Sequence, residues 1–215
     1  MNLALDRTLF HETILPGQPE VTEQIFARGS GAYVDKLDST YPHDVARAEQ
    51  LMAQAGYPDG FAVTMPDLSR FIGNPSLNVA LEQQLGAIGI DIQWDKLPPR
   101  DMFRSMQTGK YPMFFFQLGS RTPWQDLQAS VLPTAAFNPF HTADPELAAL
   151  IDTAQNAAPG EEQDTAFQQV SGRLVDDAWF APIAQRPQTW AVTGGIRIDK
   201  QDQQIDLERF RPESD

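Results

Sequence analysis

An α/β layered domain with a mainly parallel sheet covered by helices is what this sequence predicts, on three observations. A cycle of amphipathic helix, glycine stop and short apolar strand occurs at 44–65, 74–95 and 98–118. Strands that alternate with helices imply right-handed crossovers and parallel pairing. At 215 residues and 41% hydrophobic content the chain can also bury a core of its own, and length allows one domain or two, of which we take one.

Residues 2–15 read as a helix with Leu3, Leu5, Leu9 and Ile14 near one side, ended by Pro16-Gly17. No cap precedes it, which leads us to expect a chain taken from something longer. Residues 16–40, rich in Pro, Gly, Ser and Thr without a sustained period, read as a long surface connection. Asp44 then caps a helix whose stripe is Val45, Ala48, Leu51, Met52 and Ala55. Gly56 supplies the left-handed stop, Tyr57 folds back on Met52, and Pro58 blocks continuation. After the Asp59-Gly60 turn, Phe61, Val63 and Met65 alternate as a strand.

The second cycle has Asn74-Pro75 as cap and first turn, and Leu77, Leu81, Leu85 and Ile88 as stripe. Gly89 is its stop, and Ile90, Ile92 and Trp94 form a half-exposed strand. In the third, Pro98-Pro99 and Asp101 open a helix carrying Met102, Phe103 and Met106. Gly109 ends it, and Met113–Leu118 is a nearly unbroken apolar strand expected to be covered on both faces. Beyond residue 140, helices capped at Asp144 and starting near Glu161 are expected to lie on the sheet. Extended chain follows Asp177-Ala178, Gly194-Gly195 turns it, and 199–215 is polar and poorly patterned.

Composition removes several functions. A net charge of -13 disfavours nucleic acid and anionic lipid, which need basic patches. No run approaches the roughly 20 apolar residues that span a bilayer. The start MNLALDRTLF lacks the basic and apolar stretches of a signal peptide. Without cysteine there is no disulfide framework, thiol nucleophile or thiolate metal site. His11, His43 and His141 are far apart and outside metal-ligand spacing, so no metal or cofactor is expected. No nucleophile elbow, Walker loop or dinucleotide fingerprint occurs. The adjacent acids Asp176-Asp177 and Glu161-Glu162 point in different directions on a helix and read as solvated faces.

What remains is location. Ligands of parallel α/β sheets bind outside the carboxyl ends of strands. Two loops qualify, 66–73 and 119–126. Arg70, Phe71, Arg121, Trp124 and Asp126 are their candidate ligand-binding residues, a mix of cation, aromatic ring and anion suited to a zwitterionic or amphipathic solute. An ordinary surface role is the alternative for each.

The run Asp44, Ala48, Leu51, Met52, Ala55-Gly56-Tyr57-Pro58-Asp59-Gly60-Phe61 resembles, almost position for position, a segment in the second lobe of certain extracytoplasmic solute-binding proteins. These serve ABC importers of the oligopeptide, dipeptide and nickel class. Ala4-Leu5-Asp6-Arg7 is similar to the start of that lobe, and Asp177-Ala178-Trp179-Phe180-Ala181-Pro182-Ile183 to its later extended segment. In the second loop the likeness thins. Gly119 and Asp126 keep their types, whereas Ser120 replaces a Trp and Pro123 falls where oligopeptide binders place the acid that holds a peptide amine.

The resemblance implies the second lobe of a periplasmic-binding-protein type II-like fold over residues 1–198, with a tail at 199–215 that returns to a first lobe. It implies solute capture, of peptide or a related small polar or amphipathic compound, for permease subunits in the membrane. The expected location is periplasmic or extracytoplasmic, with no catalysis. If the first lobe is absent, Trp190, Ile196 and Ile198 are expected to lose cover. The rival readings are a hydrolase-like or carbohydrate-active enzyme pairing Asp126 with an acid such as Asp67, and a freestanding interaction module.

Overall fold

A computed structural model describes residues 1–14, 20–67, 69, 74–118, 122–185, 193–198 and 210–212. The chain opens with a 3-10 turn, Asn2–Ala4, and a helical run α1, in which an α turn Arg7–Leu9 continues as a π turn Phe10–Ile14. The uniform helix expected at 2–15 is not formed. Leu5 is extended, Asp6 starts the helix afresh by accepting the Leu9 N–H, and it is Phe10, not Leu9, that is buried.

Helix α2, Val45–Gln54, is capped by the Asp44 carboxylate on the Arg47 N–H at 2.8 Å. Its end is a Schellman motif. Gly56 at φ +89° donates to Ala53 O, and Tyr57 N–H to Met52 O. The Tyr57 ring lies edge-on to Phe61, centroids 5.1 Å apart. The buried stripe is narrower than expected, because Leu51 and Ala55 face solvent.

Strand β2, Phe61–Pro66, pairs in parallel with β3, Ile90–Asp95, from Phe61 opposite Ile90 to Pro66 opposite Asp95. Helix α3, Ser76–Gly86, is the crossover that parallel strands require. It buries Leu77, Ala80, Leu81 and Leu85 against Val63, Met65, Ile90 and Ile92, while Thr64, Asp91 and Gln93 face water.

Helix α4, Pro99–Gln107, turns Met102 and Met106 inward and leaves Phe103 exposed. It ends in a second Schellman motif at Gly109.

Residues 113–118 carry no ladder pairing among the described residues, so the third strand of the expected sheet is not among the strands described. Phe114, Phe115 and Phe116 are half-buried rather than covered on both faces. Alternation survives without a ladder. Met113 and Phe115 reach the β2–β3 core, and Phe114 and Phe116 turn to Phe137.

Helix α5, Pro123–Ser130, precedes the antiparallel pair α6, Pro145–Asn156, and α7, Glu161–Asp176. These helices do not cover the β2–β3 pair as expected. They form a second core with Leu127, Val131, Leu147, Ile151, Phe167 and Val170. Phe26 and Ala32 complete it, so the stretch expected to be surface connection is built into the interior.

Two short antiparallel pairs finish the description. They are β1, Glu20–Val21, with β4, Ala184–Gln185, and β5, Ile196–Ile198, with β6, Phe210–Pro212. Ile196 is 38% exposed and Ile198 half-buried, while Trp190 lies outside the described residues.

Candidate functional site

The carboxyl ends of β2 and β3 meet where the Asp67 N–H donates to Asp95 O at 2.9 Å. Each strand thus delivers one carboxylate to the same rim. Asp67 Oδ1 accepts the Ser69 N–H at 3.0 Å and Asn78 Nδ2 at 2.8 Å. Burial disfavours its charge, but the Ser69 and Asn78 donors and the charge of Lys96 outweigh burial and hold the carboxyl below its ordinary range.

Asp95 Oδ2 accepts Lys110 Nζ at 2.6 Å and Tyr111 Oη at 2.8 Å. Lys110 first and Tyr111 second depress the Asp95 pKa, and Asp95 in turn raises that of Lys110. The Tyr111 ring is buried and anchors the group, whereas Lys110 stays half in solvent. Next to them Trp94 Nε1 donates to Glu82.

Chemically this is a polar, pre-satisfied rim. A general acid needs a carboxyl whose pKa is pushed up, and both acids here are pushed the other way.

Of the residues selected from sequence, Arg70, Phe71 and Arg121 lie outside the described residues. Trp124 and Asp126 lie on α5, whose first turn is fixed by a capping box between Thr122 and Gln125 with Pro123 in the first turn. Two residues apart on a helix, their side chains diverge by roughly 200°. Trp124 is half-buried against the helical core, and Asp126 is 3% exposed. The structure does not bring these two together.

The Thr-Pro-x-Gln start of α5 was the legible signal for a helix in what reads as loop. Asn78, Asp95, Lys110 and Tyr111 gave no comparable signal, because their contacts join residues 11 to 16 apart with no pattern between them.

Two cavities among the described residues have other characters. A shallow depression of about 490 Å³ on α6 and α7 is lined by Thr153, Glu161, Glu162, Thr165, Ala166 and Gln169. A gap of about 10 Å³ beneath Glu23, Gln24 and Ser171 has room for about one water. Among the described residues no group of three or more metal-ligating side chains comes together.

A βαβ unit with a polar rim, set beside a helical core, has the fold of one lobe of a type II periplasmic binding protein. The chain belongs to the bacterial extracellular solute-binding proteins, family 5, whose middle region matches residues 1–136. No curated protein matches its sequence.

Among solved structures it is similar to a dipeptide-binding protein from Pseudoalteromonas sp. SM9913 in complex with Met-Leu. That match has a TM-score of 0.76 and 18% identity and covers 98% of this chain and 44% of that one. The periplasmic binding protein DppA from Helicobacter pylori, in complex with the peptide STSA, matches at TM-score 0.75 and 19% identity, over 99% and 43%. NikA from Brucella suis, in complex with Fe(III)-EDTA, matches at 0.70 and 17%, over 99% and 46%. At such identities these likenesses establish the fold, and the chain spans less than half the length of each structure.

Proposed function

We propose that this chain is the second lobe of the solute-capturing component of an ABC importer. In this reading residues 1–198 form one wall of an interlobe cleft and the tail at 199–215 returns to a first lobe. The solute is a peptide or a related small polar or amphipathic compound, and the complex is delivered to permease subunits outside the cytoplasm. The observation that carries the reading is the coverage. Nearly all of this chain superposes on less than half of proteins whose complexes hold Met-Leu, STSA or a metal chelate.

The candidate contacts are the strand-end rim and the loops that carry Arg70, Phe71, Arg121, Trp124 and Asp126. No catalytic step is assigned. The depressed carboxyls of Asp67 and Asp95 support a binding role, since neither has the raised pKa that acid catalysis requires.

Closure of two lobes makes affinity depend on both halves. Titration calorimetry of this chain with Met-Leu and a mixture of short peptides should therefore show no sub-micromolar binding. A tight complex formed by these residues alone would overturn the half-cleft reading, and peptide turnover lost in Asp126→Asn would overturn the non-catalytic one.

A further inference from the structure

We propose that Asp67 and Lys96 bind the head group of a small α-amino acid, the Asp67 carboxylate taking its ammonium and the Lys96 ammonium its carboxylate. The inference rests on the importer reading and gives its solute a chemical class.

The two residues form the next rung beyond the β2–β3 ladder. The last ladder pair is Pro66 opposite Asp95, and the Asp67 N–H donates to Asp95 O at 2.9 Å, so the chains are still in register where Asp67 and Lys96 leave the strands. Both lie on the α3 side. Asn78 of α3 fixes Asp67 there. Lys96 follows Trp94, whose Nε1 donates to Glu82 of α3, by the two-residue alternation of a strand. Paired strands run about 4.8 Å apart, a gap that suits a molecule with both charges on one carbon.

Opposite charges on one rung attract. These two nevertheless form no ion pair. One oxygen of Asp67 is occupied by neutral donors, the Ser69 N–H at 3.0 Å and Asn78 Nδ2 at 2.8 Å, which turn the carboxylate towards α3. Lys96 is exposed and has no ion pair among the described residues. Its charge is still close enough to help hold the Asp67 carboxyl below its ordinary range, so that group is ionised at neutral pH. The rung is therefore an open couple of opposite charges, each placed by a different strand.

The neighbouring acids are already committed. Asp95 pairs with Lys110 at 2.6 Å, Glu82 accepts from Trp94, and Asp126 is 3% exposed. A simple amine would meet Asp67 but be repelled by Lys96, and a simple carboxylate would meet the reverse. A zwitterion satisfies both groups, so the couple selects by repulsion as well as by attraction.

The test is an NMR titration of the amide signals of this chain with leucine, N-acetylleucine and leucine amide. Leucine should shift the Ser69 and Lys96 amides saturably, with a Kd in the millimolar range, and each blocked form should bind about tenfold more weakly. Asp67→Asn keeps an acceptor for Ser69 and Asn78, and should no longer distinguish leucine from N-acetylleucine. Lys96→Met keeps the stem, and should no longer distinguish leucine from leucine amide. Asp91→Asn, which removes an exposed acid from the other side of β3, should change neither preference. Equal binding of the three probes, preferences that survive in both variants, or saturable shifts absent or confined to other residues would each overturn the proposal. None of these outcomes touches the importer reading, which falls instead to a sub-micromolar complex or to peptide turnover by this chain.

Discussion

Gly60 and Gly89 face each other at the point where the parallel ladder starts. Their φ angles are +73° and +81°, and a Cβ on Gly60 would lie 1.9 Å from Gly89 O, the acceptor of the Phe61 N–H. Gly60→Ala therefore meets backbone that cannot move without opening the first ladder bond, and should cost at least about 2 kcal/mol. Gly56 has φ +89° but open space around it, so Gly56→Ala should cost only the left-handed strain, about 1 kcal/mol. Urea midpoints of the two variants would separate contact from conformation; equal shifts would mean that the close approach is unimportant.

Arg7 and Glu23 form the other residue-scale device. Arg7 is 6% exposed and donates to Asn2 O, Asn2 Oδ1 and Pro182 O, with Glu23 Oε1 at 3.8 Å. Burial raises the Glu23 pKa, and the Arg7 charge and the Tyr41 and Thr40 N–H groups only partly oppose it. The folded state then holds this proton more tightly than the unfolded one. Stability from this group is fully present below the unfolded value near 4.3 and is lost as pH rises through the folded value. Glu23→Gln keeps an acceptor for the Tyr41 N–H and removes the titration. Its stability relative to wild type should improve as pH is raised from about 4 towards 7. A pH-independent difference in urea midpoints would refute the burial effect.

At the scale of elements, the segment 20–41 behaves as core although it has almost no regular structure. Phe26 is 1% exposed and meets Phe167 edge-on at 6.4 Å, whereas Phe116 is only half-buried in a run without a ladder. Phe26→Ala should cost about 3–5 kcal/mol and Phe116→Ala clearly less. Thermal unfolding of both variants tests the order, and the reverse order would restore the surface-connection reading of 16–40.

The contrast explains what was legible. Helices α2, α3 and α4 carry periodic stripes and glycine stops within one short window, and α2 a side-chain cap as well, so α2, α3 and β2–β3 follow from the sequence almost intact. Segment 20–41 is organised by side chains instead. Gln24 bridges Val34 N and O and Asp38, and accepts from Ser171 Oγ 147 residues away. No local period encodes that. The Phe run differs for a related reason: its composition says strand, but a strand needs a partner that supplies the ladder, and none is found among the described residues. Of the candidate rim, the sequence pointed to the loop 66–73 at the carboxyl end of β2, while its second choice, 119–126, lies after the Phe run and the end of β3 was not selected. The side-chain partners of the rim were not legible, because Lys110 and Tyr111 reach Asp95 across a helix.

For the whole molecule, the question is what makes one body of its two larger hydrophobic cores, one around β2, β3 and α3 and the other around α5, α6 and α7, beside the small cluster of Met102, Met106 and Tyr111. Polar contacts cross between them. Asn2 Nδ2 donates to Phe180 O and Arg7 Nε to Pro182 O, both at 2.9 Å, and Tyr41 Oη donates to Val175 O. Such contacts are partly desolvated, so losing one partner leaves buried groups unsatisfied and costs more than the bond itself contributes. Arg7→Met removes one of these contacts together with the two Arg7 bonds that hold Asn2, and leaves the Glu23 carboxylate without its cation, a loss of about 3–5 kcal/mol.

Most of that loss falls on the coupling, because neither core loses apolar area. Wild type should unfold in one transition. Arg7→Met should spread it into two, since each core would retain its own contacts once the joint is gone. Native-state hydrogen exchange gives the readout, with amides of β3 reporting one core and amides of α7 the other. Equal opening free energies at both sites in wild type that diverge in Arg7→Met would establish the joint. If the two sites already differ in wild type, or stay equal in the variant, the cores are held together by something other than this polar seam.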